Sequence, residues 1–195
     1  MKKAMIFGIG CMLSAVCAVY ATDSGIKGWI MAGSKPKSYT ATVDPANARG
    51  SHRTVLYKSV EEVKDGFGTM MQKIKADKYK GKRIRLSAYV KAEDVKGSSG
   101  LWMRVDGSVL VNVLAFDNMN DRAIKGTLDW KKYSVVLDVP AKDSNVVAFG
   151  FILAGSGKLW VSEMAFETVD KSVPVTAKGV ETLSLPVEPV NLAFN

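Results

Sequence analysis

The segment Gly100-Leu101-Trp102-Met103-Arg104-Val105-Asp106-Gly107 holds the densest set of side chains able to do chemistry. In an extended strand, alternation puts Leu101, Met103 and Val105 on one face and Trp102, Arg104 and Asp106 on the other. A flat indole stacks on apolar ring faces, and a guanidinium beside a carboxylate hydrogen-bonds hydroxyls, so the row is a candidate ligand platform. The alternative is a cross-strand Arg/Asp pair with the tryptophan covering it. Further on, Asp117-Asn118-Met119-Asn120-Asp121-Arg122 follows an apolar run and belongs at a strand end or in a loop. Its spacing lacks the glycine and terminal glutamate of an EF-hand loop, and turn chemistry accounts for it in isolation.

Catalytic chemistry has little to stand on. His52 is the only histidine, flanked by Ser51 and Arg53, and a lone surface imidazole is more often inert than a general base. No nucleophile elbow, zinc-binding histidine pair or phosphate-binding glycine loop occurs. The reading is of a protein that is not an enzyme and needs no cofactor.

The elements that must position these residues read as strands. Ile84, Leu86, Ala88 and Val90 alternate with Arg83, Arg85, Ser87 and Tyr89, and Tyr133, Val135, Leu137 and Val139 alternate with Ser134, Val136 and Asp138. Residues 53–59, 67–74, 100–106, 109–116, 146–153 and 158–168 are further candidates, with helical turns at most at 60–64 and 75–80. Neither is long enough to build a layer. Eight to nine strands with evenly spaced turn signals predict an all-β, two-sheet antiparallel jelly-roll sandwich in a single domain.

Composition agrees with that class. Of 195 residues, 47% are hydrophobic and 24% charged, with Lys+Arg 27 against Asp+Glu 19 and a formal net charge of +8, which excludes a disordered polyelectrolyte. Lys2 and Lys3 precede an uncharged apolar stretch over 4–19 that ends at Val19-Tyr20-Ala21, the pattern of a signal peptide with a small-residue cleavage site. That stretch is short for a membrane span, so a secreted or periplasmic protein with no span after cleavage is expected. Removing 21 residues and two lysines leaves 174 residues at +6, and takes away both cysteines, Cys11 and Cys17. Neither a disulfide nor a thiolate metal site is then available. The expected division is a leader over 1–21, a sandwich over 22–172 and a Pro-containing C-terminal extension over 173–195, where Pro186 and Pro189 exclude a central strand.

Several motifs in order carry a resemblance. They are Gly66-Phe67-Gly68-Thr69-Met70-Met71-Gln72, Tyr79-Lys80-Gly81-Lys82-Arg83-Ile84-Arg85-Leu86, the Gly100 to Gly107 segment, Phe116-Asp117-Asn118-Met119, Ile124-Lys125-Gly126-Thr127 with Trp130-Lys131-Lys132-Tyr133, and Ala148-Phe149-Gly150 through Trp160. Over residues 28–175 the chain resembles a bacterial jelly-roll domain similar to carbohydrate-binding modules, found alone or fused to transcriptional regulators. The resemblance implies a galactose-binding-like sandwich with a glycan-accepting sheet face, on which Gln72, Trp102, Arg104, Asp117 and Asn118 would sit. It also implies a structural calcium, but Ser162-Glu163 stands where such modules carry an Asp pair, so no metal is expected here.

The function expected is therefore an exported, non-catalytic carbohydrate-binding module, with a secreted protein-interaction or host-directed factor as the alternative. A glycan is the expected partner. Lys35, Lys37, Lys78, Lys80, Lys82, Arg83 and Arg85 could favour an acidic polysaccharide, although such charges first of all keep a protein soluble. Nucleic acid is not an expected partner.

Overall fold

The computed structural model describes residues 22–23, 25–108 and 112–177. The expected leader and most of the expected C-terminal extension lie outside these residues. Among the described residues ten strands form: β1 (Thr22–Asp23), β2 (Ile30–Gly33), β3 (Tyr39–Val43), β4 (Thr54–Ser59), β5 (Phe67–Lys75), β6 (Arg83–Gly107), β7 (Val113–Asp117), β8 (Ile124–Asp138), β9 (Ser144–Ala154) and β10 (Lys158–Val169). Between them are only turns and short 3-10 segments, at Pro36–Ser38, Pro45–Asn47 and Asn120–Arg122. The expected all-β antiparallel sandwich is what forms. Residues 76–80 make one helical turn, in which the Lys80 N–H donates to the Ala76 carbonyl at 3.1 Å.

The two layers of the sandwich are halves of one continuous antiparallel sheet, ordered β1-β2-β5-β9-β6-β10-β4-β3, with β7 and β8 also paired to β6. Strand β6 runs through both halves. Its residues 83–93 pair with β10 and its residues 98–107 with β9, so its neighbour changes near residues 94–97. At that switch Asp94 adopts φ 52°, and the Lys96 N–H donates to the Ser156 carbonyl in the β9–β10 turn. The backbones approach too closely for side chains. A Cβ on Gly97 would lie 2.3 Å from the Ala154 carbonyl oxygen, and one on Gly157, at φ +144°, 2.7 Å from the Val95 Cα. The run 91–99, left between the two expected strands, is this crossing.

Alternation then decides which face each residue takes. Ile84, Leu86, Ala88 and Val90 point inward from one half and Leu101, Met103, Val105, Phe149 and Phe151 from the other, into a shared core. Rings close the gap between the layers. Phe149 and Phe166 lie 4.6 Å apart, and Tyr57 meets Phe151 edge-on at 5.5 Å. Burying side chains of this size stabilises by about 1.5–3 kcal/mol each, the term that has to hold a chain with no cysteine among its described residues.

The chain after β10 stays on the sandwich at least as far as Ala177. The Arg83 guanidinium donates to the Lys171 and Val173 carbonyls at 2.6 Å each, and Thr176 bonds to the backbone of Val136 in both directions.

Candidate functional site

The first half of the sheet carries the expected row. Register places Lys73, Ala148, Arg104 and Phe116 side by side on its outer face, and Ile30, Met71, Gly150 and Trp102 in the next row. Trp102 and Arg104 do share this face. The Trp102 indole, however, crosses over Gly150 to donate its Nε1–H to Thr69 Oγ1 at 2.7 Å, two strands away. Packed with Ala32, Met71 and Ala148, it retains 8% of its surface. It is a floor, not a free stacking platform.

Arg104 is 40% exposed and paired within its own strand, its Nη2–H donating to Asp106 at 3.0 Å. Opposite it stands Phe116, 45% exposed. Asn118 is half-buried, and its Oδ1 accepts from the Asn120 N–H at 3.3 Å.

Two expected residues lie elsewhere. Gln72 is one residue out of phase with Met71 and Lys73, so it points to the inner side, level with Phe149. Asp117 pairs with inward-facing Met103 and is 7% exposed. Its carboxylate accepts from the Met119 N–H at 2.8 Å, from Arg122 Nη2 at 2.6 Å and from the Thr176 hydroxyl at 2.6 Å. Every direction is taken by the protein itself, so Asp117 ties the loop and the C-terminal segment to β7. Gln72 and Asp117 therefore do not share a surface with Trp102 and Arg104.

The outer face of the second half holds a further set, of which only Arg83 and Arg85 are among the cations noted in the sequence. Arg83, Arg85, Ser87, Tyr89 and Lys91 are the outward residues of β6, flanked by Trp160 and Ser162 on β10 and by Lys132 on β8. The loop between β3 and β4 folds over this face and is fastened to β10 twice. Asp44 accepts the Trp160 Nε1–H at 2.8 Å while capping the turn at 45–47, and Arg49 Nε donates to Glu163 at 2.7 Å. The Trp160 and Asn47 hydrogen bonds hold the Asp44 carboxyl below its ordinary range, and the Arg49 hydrogen bond does the same for Glu163. Strand alternation alone exposes Tyr89. The arrival of Arg49 upon it depends on tertiary pairing and carries no local signal.

Among the described residues no three His, Cys, Asp or Glu side chains gather as a metal cluster. His52 is exposed, in a tight turn where its N–H donates to the Arg49 carbonyl at 3.0 Å. It borders an open depression of about 450 Å³ lined by residues of the β3–β4 loop. An apolar cavity of about 130 Å³ opens between the layers beside Trp29, Val55, Met70 and Phe151.

No protein-family model matches the chain. It is 43% identical over 178 residues to an uncharacterized HTH-type transcriptional regulator, YbfP, of Bacillus subtilis (strain 168), a match covering 88% of this chain and 58% of that relative. The chain thus spans less than two thirds of the curated relative. Among solved structures, the enzymatically active domain of tailspike protein 4 from bacteriophage CBA120 superposes with a TM-score of 0.53 over 75% of this chain and 20% of the tailspike chain, at 14% identity. The CBM22-1 xylan-binding domain of Paenibacillus barcinonensis Xyn10C superposes with a TM-score of 0.50 over 73% of this chain and 86% of that domain, also at 14% identity. The fold is that of a carbohydrate-binding-module β-sandwich.

Proposed function

We propose that the protein is an exported, non-catalytic carbohydrate-binding module whose ligand lies along the outer face of the first half. One observation carries this reading: Arg104 and the exposed Phe116 stand opposite each other beside Ala148, a ring and a guanidinium next to a low floor. A sugar ring can rest on Phe116 while its hydroxyls take hydrogen bonds from Arg104, and the buried Trp102 indole shapes the floor. The likeness of the whole sandwich to a xylan-binding domain supports the same use. So does the regulator relative, because the described residues here are strand and turn, and a sandwich shared with such a protein suits ligand recognition more than DNA contact.

A glycan array read at low and high salt tests the function. Binding that survives salt and falls with Arg104→Lys and Phe116→Ala is the expected result, since an ammonium cannot both hold Asp106 and present fixed planar donors to a sugar hydroxyl. Silence across the array overturns it. Export rests on Lys2, Lys3, the apolar stretch and Val19-Tyr20-Ala21. Intact mass of the secreted or periplasmic protein should place the N-terminus at Thr22, and a full-length, membrane-retained product overturns export.

A further inference from the structure

The β3–β4 loop sets Arg49 flat upon Tyr89. The guanidinium carbon is 3.7 Å from the Tyr89 ring centre and 5.7 Å from that of Trp130. Its Nε–H is bound to Glu163, which fixes the plane of the group, and its two terminal nitrogens donate to no described residue. Glu163 reaches it because a β-bulge between Ser162 and Ala165 turns its backbone left-handed, at φ 51°. A non-glycine residue held there stores strain, and bulges commonly re-aim a side chain at a working site. Lys132 stands 5.8 Å from the Tyr89 ring centre and Lys91 5.1 Å from that of Trp160. Of these three cations only Arg49 has a carboxylate of a described residue within ion-pair distance.

An oriented guanidinium with both terminal donors unused matches a planar anion, which it grips by two parallel N–H···O bonds. A half-buried indole beside it matches the apolar face of a six-membered ring. A sugar carrying a carboxylate joins both features in one residue. We propose that the outer face of the second half, centred on Arg49, Tyr89 and Trp130 with Lys91 and Lys132 around them, is a second binding surface that takes uronic-acid glycans. The proposal rests on the glycan-binding reading, and it adds a surface distinct from the Arg104–Phe116 row.

The test is titration of the purified chain with oligogalacturonate, a neutral galacto-oligosaccharide of equal length, polyglutamate and polyphosphate. Oligogalacturonate should bind, and Arg49→Lys and Trp130→Ala should each weaken it roughly tenfold or more, as loss of an anchoring contact does. Lys142→Ala, at an exposed position between β8 and β9, should leave that affinity unchanged. Trp130→Ala keeps the Arg49–Glu163 pair, so it answers the question even if Arg49 variants fold poorly. Equal binding of polyglutamate or polyphosphate would reduce the surface to bare charge and overturn the proposal, as would unchanged affinity in both variants. If neutral glycans bind through Arg104 and oligogalacturonate does not, this surface is refuted while the glycan-binding function stands. If no glycan binds, both fall.

Discussion

The Thr176 hydroxyl donates to Asp117 Oδ2 at 2.6 Å and accepts the Val136 N–H at 2.7 Å, so one side chain beyond the last strand completes two partners on β7 and β8. Replacing it by the isosteric Val leaves a buried carboxylate short of one donor and a backbone N–H short of its acceptor. Thr176→Val should cost about 1–3 kcal/mol, the usual penalty for orphaned buried groups, and a chain ending at Val173 should lose at least as much. Denaturant unfolding measures both. An unchanged midpoint would mean that Arg122 alone suffices for Asp117.

Trp102 separates the two roles weighed for its row. With its N–H spent on Thr69 and 8% of its surface left, Trp102→Ala should act on stability, by about 3–5 kcal/mol. Arg104→Lys, at a half-buried position that keeps its positive charge beside Asp106, should leave the melting temperature within about one degree while weakening glycan binding. A Trp102→Ala protein that melts like wild type but no longer binds would reinstate the indole as a stacking surface.

The pair of tyrosines under Gly68 gives opposite expectations. Tyr39 donates its hydroxyl to the Gly155 carbonyl at 2.9 Å, whereas the fully buried Tyr57 hydroxyl has no partner among the described residues. Tyr39→Phe should destabilise by about 1 kcal/mol, and Tyr57→Phe should hold or raise stability by a similar amount. A Cβ on Gly68 would lie 2.3 Å from the Tyr57 hydroxyl and 2.4 Å from the Tyr39 ring, so Gly68→Ala should cost about 1–3 kcal/mol through overpacking. Adding Tyr57→Phe to Gly68→Ala should recover part of that loss. Equal destabilisation by the two Tyr→Phe changes would show that Tyr57 is bonded after all.

The same rings set an alkaline limit. Burial pushes the Tyr39 phenol up to about 12 against the opposing pull of backbone hydrogen bonds, and burial together with repulsion from Tyr39 pushes Tyr57 up as well. An unfolded tyrosine gives up its proton near pH 10, roughly, so the folded state binds more protons above that point. Stability from these groups is therefore complete below about pH 10 and declines as pH rises toward about 12. Denaturation midpoints should fall in that window while phenolate absorbance rises. Full ionisation at ordinary pH with the fold intact would contradict the burial.

Alternation made β4, β5, β9, β10 and the inward sets of β6 and β8 legible, because a one-residue slip would expose a whole apolar face. The same rule could have excluded Gln72 from the Trp102 face, since Met71 and Lys73 occupy the outward positions around it. Asp117 was not legible: its partners Arg122 and Thr176 come from a loop and from beyond β10. Nor was the continuity of β6, since Lys91 to Ser99 is polar and breaks the pattern where the strand passes between layers. Arg49 has no neighbour in sequence that marks it. Its position depends on a bulge more than 110 residues away, at Glu163.

The path of β6 fixes an order of events as well as a shape. All four of its partners, β7, β8, β9 and β10, follow it in the chain, and β4 and β5 also wait for β10 and β9. A nascent chain ending at Gly107 can pair little more than β3 with β4 and β2 with β5, and its core residues have nothing to close against. Closure needs contacts of long sequence separation, which form slowly. Synthesis from the N-terminus therefore delivers an open chain until the β9–β10 hairpin emerges. That delay is useful to any polypeptide that must be threaded through a pore before it folds.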